Sequence, residues 1–475
     1  MFLLSADPTL MEVLGLVLHI ALAGSVTVDV LLKKSDVRGA LGWIALAWFS
    51  PILGAVLYFL FGINRVTRRA QRLRRRDGGR TAAAGGALGT PDGPIALLER
   101  VSAEVTNEPL TGGNALTPLE GGDETYPEML AAIAGARHSI ALASYIFRRD
   151  AAGRQFCAAL IDARRRGVEV RVLLDGVGAG YTWCPALSLL RRGGVPAALF
   201  LHSWRPWRMP FLNMRNHRKL LVVDGVLGFV GGINIGSENL SGPTRRRPIR
   251  DVHFKVRGPV VRALMDTFAR DWSFTTGEGL DEDVWWPELD SHGAVFARGL
   301  RSGPDADLYK LESILGAALT LAQKRIRIVT PYFLPDARLQ FAMQQASLRG
   351  VKLEILLPAE SDQRLMDWAM RGHLRFFRHV KIDFFASPPP FDHTKLCTID
   401  GKWCVIGSSN WDTRSFRLNF EFDLECIDDA FVAVIDAMID DRLAGAAPLM
   451  PDALAAEPVW LRLRNAAARL LMPYL

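Results

Sequence analysis

Long apolar stretches separated by polar breaks set out the elements of this chain. Residues 40–62 form an uncharged apolar run, about the length that crosses a bilayer as a helix. Pro51 and Gly54 inside it are tolerated where neighbouring groups satisfy the freed backbone. An earlier stretch, 10–32, is also apolar but carries Glu12, His19 and Asp29; it predicts a second span. Residues 1–10 hold no positive charge and no small-residue cleavage site follows, so the segment is expected to stay as an anchor. Further on, the apolar runs 140–147 and 326–333 are each followed by a helical stretch and a second run, 166–175 and 349–358. Strand, helix, strand, given twice, predicts an α/β architecture of layered halves.

The segments divide the chain into a membrane anchor (1–76), a flexible Gly-, Ala- and Pro-rich linker (77–94), a first half (95–285), a second half (286–445) and a tail (446–475). In the tail, Trp460, Leu463, Ala467, Leu470, Leu471 and Tyr474 recur at helical spacing, which predicts an amphipathic helix packed on the domain. Flanking Arg462, Arg464 and Arg469 offer the alternative of a helix lying at a membrane interface. Trp204 and Trp207, ahead of the first motif described below, suit either a packed loop or membrane contact.

Charge sharpens this picture. The formal net charge is +7. Lys33, Lys34 and Arg38 lie between the two apolar runs, and eight arginines fall between Arg65 and Arg80. The larger cluster is expected on the cytoplasmic side, which makes the runs a helical hairpin with both ends inside. Directly after a span, such a cluster is expected to meet anionic lipid headgroups, not nucleic acid. The five cysteines, Cys157, Cys184, Cys397, Cys404 and Cys426, show no C-x-x-C spacing and are read as reduced thiols, with Cys397 opposite Cys404 if their hairpin has a two-residue turn.

The chemistry lies in a duplicated motif. His217-x-Lys219-x4-Asp224 and His393-x-Lys395-x4-Asp400 align without gaps through Gly231 and Asn234, and Gly407 and Asn410. Each Asp-Gly pair sits between apolar runs and predicts a hairpin. His and Lys two apart on a strand face the same way. Asp224 and Asp400 belong to the signature, but an odd spacing turns them away, as anchors of the hairpins. Two imidazoles, two ammonium groups and Asn234 and Asn410 make a cradle for a phosphodiester. The Lys and Asn donors stabilise charge on phosphoryl oxygens, one His attacks phosphorus, and the other protonates the leaving alcohol. No metal or other cofactor is required.

These motifs resemble the phospholipase D superfamily, whose signature is the paired H-x-K-x4-D. The segment 37–62, with Phe211–Lys219, Gly231–Gly236, Arg250–His253, Thr330–Pro335, Ser408–Ser415 and Leu418–Glu421, is similar to bacterial cardiolipin synthases. The resemblance implies two α-β-α sandwich halves around one shared active site, preceded by the transmembrane hairpin. It implies a covalent phosphatidyl-histidine on His217, with His393 as acid and then base. It implies phosphate contacts from Lys219, Asn234, Lys395, Ser408 and Asn410, and acidic residues that orient the imidazoles: Glu421 for His393 and Asp251 for His217. One departure is visible, Gly232 standing where the second half has Ser408. The activity implied is condensation of two phosphatidylglycerol molecules to cardiolipin and glycerol at the bacterial cytoplasmic membrane, facing the cytoplasm, with anionic phospholipids as partners. Two alternatives stay open: a hydrolase of lipid or nucleic-acid phosphodiesters, and a non-enzymatic basic binding protein anchored to the membrane.

Overall fold

A computed structural model describes residues 8–34, 37–59, 93–180, 183–202, 214–242 and 247–472. Most of the expected linker, the arginine cluster, Trp204, Trp207 and Tyr474 lie outside the described residues. The chain divides into two compact units, 1–72 and 73–475.

In the first unit, helix α1 (Pro8–Lys33) contains the one described helix long and apolar enough to cross a membrane, Glu12–Lys33. The expected span 40–62 is not one continuous helix. It is divided into α2 (Val37–Phe49) and α3 (Pro51–Leu57), broken at Ser50. Proline cannot donate the amide that would carry the helix through that point. The break lets Gly54 close on the Leu46 carbonyl so tightly that a Cβ would collide with it. Ala23, Val26, Val30, Ala47, Ala55 and Tyr58 are buried between the helices. The charge at Asp29, which counts against a span, is held by Lys33 and by the Tyr58 hydroxyl, which donates at 2.8 Å. The outer faces carry exposed Val13, Leu16, Val17 and Leu31.

The second unit is built on one continuous sheet of two matching halves. The first half supplies β1 (Thr111–Glu120), β2 (Ser139–Ser144), β3 (Glu169–Asp175), β4 (Ala197–Phe200), β5 (Leu220–Val223), β6 (Leu227–Gly231) and β7 (Val252–Arg257). The second supplies β8 (Val295–Ser302), β9 (Arg325–Val329), β10 (Lys352–Pro358), β11 (Asp383–Ser387), β12 (Leu396–Ile399), β13 (Trp403–Gly407) and β14 (Asn419–Ile427). From its outer edge the first half runs β4-β3-β2-β5-β6-β7-β1, and the second runs β11-β10-β9-β12-β13-β14-β8 in the same order, with the short strand Ala447–Pro448 added outside β11. They join where β1 pairs antiparallel with β8; β8 also pairs with β14. The strand–helix–strand crossovers make β2 and β3, and β9 and β10, parallel neighbours. The α/β reading and the internal duplication are both present in this topology.

Three details differ from the sequence reading. Helix Pro94–Thr106, counted with the first half, buries Ile95 and Leu98 in the core of the second. The turn between β12 and β13 has three residues, so Cys397 faces Val405 and Cys404 faces Thr398. In the C-terminal helix Val459–Arg469, the packed side is Asn465 and Ala468, while Trp460, Leu463 and Leu470 are 65–73% exposed. The apolar stripe therefore faces away from the domain. The helix Arg364–Leu374 occupies the packed side, where Gly372 admits the Asn465 carbonyl without room for a Cβ.

Candidate active site

Each motif is stitched to the opposite half before its hairpin begins. Arg215–Asn216 pair in parallel with Asn419–Phe420, and the His217 amide donates to the Phe420 carbonyl at 2.9 Å. Phe391–Asp392 pair with Ile249–Arg250, and the His393 amide donates to the Arg250 carbonyl at 2.7 Å. His217 and Lys219, and His393 and Lys395, thus lie on the connecting segments that lead into β5 and β12, not within those strands as the spacing predicts. The Lys219 ammonium donates to the His217 carbonyl at 2.7 Å and stands 5.4 Å from the centre of the Tyr145 ring. Lys395 donates to the His393 carbonyl in the same way, and its Nζ is 2.9 Å from His393 Nδ1.

The carboxylates cross between halves. Glu421 lies 2.9 Å from Nδ1 of His217, and Asp251 lies 2.7 Å from Nδ1 of His393. This reverses the assignment made from the sequence, which kept each acid with the imidazole of its own repeat. The reason is the stitching: β14, which carries Glu421, runs on from the residues that pair with the first motif, and Ile249–Arg250, just ahead of Asp251, pair with the second. Glu421 is fully buried and also accepts hydrogen bonds from Ser408 Oγ (2.7 Å), Asn419 Nδ2 (3.0 Å) and Ser415 Oγ (3.1 Å). Ser408, expected on the phosphate, is instead buried behind Glu421. At the matching place a Cβ on Gly232 would collide with both oxygens of Asp251. The Gly-for-Ser departure is therefore the space that the Asp251 carboxylate fills.

Asp224 and Asp400 sit at the hairpin turns with φ of 51° and 54°. Asp224 accepts from the amides of Arg137, His138 and Ser139, and Asp400 from those of Gln323, Lys324 and Arg325. Each ties its hairpin to the start of the neighbouring strand and does not reach the imidazoles.

His217, His393, Asn234 and Asn410 line one cleft of about 380 Å³, together with Tyr145 and Tyr332. The tyrosine rings stand edge-on to His217 and His393, with centroids 4.9 and 6.3 Å away. The Asn234 Oδ1 accepts from the Ile146 amide at 3.0 Å, which fixes that side chain. The lysines lie deeper, 2% and 6% exposed. The sequence reading missed Tyr145, Tyr332, Ser415 and Asn419. Both tyrosines stand just past a repeated strand, but a one-residue offset between the halves hides their match.

Burial dominates the electrostatics. It lowers the His217 pKa to about 4 and Lys219 to about 7, although Glu421 acts to raise both. His393 and Lys395 are lowered for the same reason, Lys395 adding to the effect on His393. Burial acts to raise the two carboxylates, but Lys395 and His393 outweigh it at Asp251, as His217 and Lys219 do at Glu421, so both stay ionised. Both imidazoles are thus neutral in the empty site, and in His217, whose Nδ1 faces Glu421, the proton sits on that nitrogen and leaves the Nε2 lone pair as the reactive atom. Among the described residues no group of three or more His, Cys, Asp or Glu side chains is placed to hold a metal ion.

The family model described as the phospholipase D-like domain of cardiolipin synthase matches residues 129–272 and 315–443, and one described as the phospholipase D-nuclease N-terminal segment matches 21–62. The cardiolipin synthase of Alkalihalophilus pseudofirmus is 34% identical over 395 residues, covering 80% of this chain and 78% of that one. Cardiolipin synthase A of Pseudomonas aeruginosa is 31% identical over 458 residues, covering 94% and 93%. Among solved structures, phosphatidylserine synthase of Haemophilus influenzae superposes with a TM-score of 0.61 at 15% identity, covering 80% of this chain and all of that one, a likeness of fold.

Proposed function

The chain belongs to the cardiolipin synthase family with phospholipase D-like domains, and from that premise we propose that it condenses two phosphatidylglycerol molecules into cardiolipin and glycerol. It is a membrane-anchored phosphatidyltransferase that acts on phospholipids. The observation that carries the reading is the crossed pair of imidazole–carboxylate contacts, His217–Glu421 and His393–Asp251, facing one cleft.

His217 Nε2 attacks phosphorus, and the bond from phosphorus to the headgroup glycerol oxygen breaks. His393, charged in the presence of the anionic substrate, gives that oxygen its proton, and glycerol leaves. A hydroxyl of the second phosphatidylglycerol then passes its proton to His393 and attacks phosphorus, which displaces His217. Glu421 is the better fixed of the two acids, with Ser408, Ser415 and Asn419 also bonded to it. It suits the nucleophile, whose Nδ1–H must stay in place while Nε2 carries phosphorus. Lys219, Lys395, Asn234 and Asn410 receive the charge on the phosphoryl oxygens.

The two apolar runs form a membrane hairpin, with the N-terminus and the catalytic region on the cytoplasmic side of the bacterial inner membrane, as the flanking positive charge supports. The exposed Trp460, Leu463 and Leu470, with Arg462 beside them, rest on the same anionic bilayer.

The test is to incubate the purified chain in detergent with phosphatidylglycerol and to separate the lipids. Cardiolipin with release of glycerol is expected. Phosphatidic acid as the sole product would show a hydrolase, and no turnover of any phosphodiester would show a binding protein. For topology, external protease acting on intact cells should leave the region after residue 90 uncut.

A further inference from the structure

The cleft differs beside its two imidazoles. Next to His217, the Tyr145 hydroxyl meets the Arg215 guanidinium. Next to His393, the Tyr332 hydroxyl donates to Asp362 Oδ1 at 2.5 Å. One tyrosine thus leads to a cation and the other to an anion. The repeat locates the difference. Carried on past 166–175 and 349–358, it sets Asp362 and Gln363 against Ala179 and Gly180. Ala179 is buried in the core of the first half, and neither it nor Gly180 lines the cleft, whereas Asp362 and Gln363 both do. Ser361 shapes their turn: its hydroxyl donates to Asp362 Oδ1 at 3.4 Å and accepts from the Gln363 amide at 3.2 Å. Gln363 Nε2 donates to the Tyr332 hydroxyl at 3.4 Å. Asp362 Oδ2 and Gln363 Oε1 have no hydrogen-bond partner among the described residues.

We propose that Asp362 and Gln363 form a polyol subsite that holds the free hydroxyls of the glycerol headgroup. This rests on the transfer reaction proposed above and names what selects its alcohol. Displacement at phosphorus runs in line, so attack by His217 Nε2 sends the leaving oxygen to the opposite side, where His393 supplies its proton. The headgroup carbons beyond that oxygen therefore lie on the His393 side, where Tyr332 and Asp362 stand. A hydroxyl both donates and accepts. An ionised carboxylate only accepts, and an amide side chain does both, so Asp362 and Gln363 together answer a hydroxyl in each sense. An ammonium headgroup has no lone pair for the Gln363 donor, and Asp362 repels an anionic one. The accepting lipid follows the same path in reverse. Its glycerol hydroxyl passes a proton to His393, so its headgroup fills the place that the first glycerol has left. One subsite thus selects glycerol in both steps.

The experiment supplies the whole protein in detergent micelles with phosphatidylglycerol as donor and an equal mixture of glycerol and propan-1-ol as free acceptors. These alcohols share a carbon chain and differ only in hydroxyls. One is radiolabelled at a time, and the readout is the ratio of label entering lipid from glycerol to that from propan-1-ol. Wild type should favour glycerol, since a site that bonds hydroxyls rejects an alcohol lacking them. With Asp362→Ala and Gln363→Ala combined, the ratio should fall about tenfold or more, as loss of hydrogen bonds to a charged group implies. A ratio within about twofold of wild type overturns the subsite even if both products decline. So does a wild type that takes the two alcohols equally. Both side chains are exposed, so the variant should fold. Should it not, Asp362→Asn decides, because it keeps an acceptor for the Tyr332 hydroxyl and loses the charge: a lowered ratio supports the subsite and an unchanged one overturns it. Ethanolamine tests the other occupant. If the alanine variant loses transfer to ethanolamine and keeps its preference for glycerol, the place suits a cation and the polyol subsite falls. Wild-type protein that makes phosphatidic acid and labels lipid from no alcohol removes the transfer reaction itself, a result distinct from an unchanged ratio.

Discussion

His217 is oriented by Glu421, a residue 204 positions further along the chain, at 2.9 Å from its Nδ1. The converse contact joins His393 to Asp251 across the same junction. Neither half holds a complete imidazole–carboxylate unit, so neither half alone is an active site. Replacing Glu421 by Gln, or Asp251 by Asn, removes the charge and nearly preserves the shape. Each should lower kcat by about 10²–10⁴-fold, as loss of an imidazole-orienting carboxylate does elsewhere. If Glu421→Gln impairs formation of the phosphatidyl-enzyme while Asp251→Asn chiefly slows its turnover, as read by radiolabelled lipid on the quenched protein, the roles of the two histidines stand. The opposite pattern would exchange them.

The pH profile of kcat/KM reports the empty enzyme. His217 must be neutral to attack and Lys219 charged to hold phosphate, and their pKa values stand at about 4 and about 7. Activity should therefore rise as pH increases through about 4 and then fall in two steps: first as His393, which must be protonated to act as the acid and is held below an ordinary imidazole by burial, loses its proton, and then through about 7 as Lys219 does. A bound phosphodiester favours the charged lysine, so the alkaline limb of kcat should lie above that of kcat/KM. Lys219→Arg should remove the step at about 7 and leave the His393 step in place, because guanidinium keeps its proton. A step at about 7 that stays in place belongs to another group.

Asp224 and Asp400 belong to the signature, yet each carboxylate binds three backbone amides at the far end of its hairpin. Asp224→Ala and Asp400→Ala should each cost about 2–4 kcal/mol of stability in denaturant unfolding, from lost charge-assisted bonds and a left-handed φ that alanine disfavours. The fraction that remains folded should turn over at close to the wild-type rate. Full stability with abolished turnover would place these acids in the chemistry.

The C-terminal helix offers a test that separates surface from site. Replacing Trp460, Leu463 and Leu470 together by Ser should leave stability within about 1 kcal/mol, since all three are exposed. Activity on vesicles that contain anionic lipid should drop, with activity in detergent micelles retained. Equal rates on vesicles would show that the stripe does not meet the bilayer.

The sequence by itself determined the duplication, the strand–helix–strand layers and the identity of the reactive groups, because each is a local pattern repeated at fixed spacing. It also marked the apolar segments, since hydrocarbon length is a property of composition. Only the tertiary structure decided partnership. Which carboxylate serves which imidazole depends on Asn419–Phe420 and Ile249–Arg250 pairing across the halves, a contact between residues roughly two hundred and one hundred and forty positions from the motifs they serve. The exchange of Glu421 and Asp251, the retreat of Ser408 behind Glu421 and the space left by Gly232 all follow from that crossing. The outward stripe of the last helix has a separate cause, the packing of its other side on the helix Arg364–Leu374: spacing along the chain names a face, and packing chooses what lies against it.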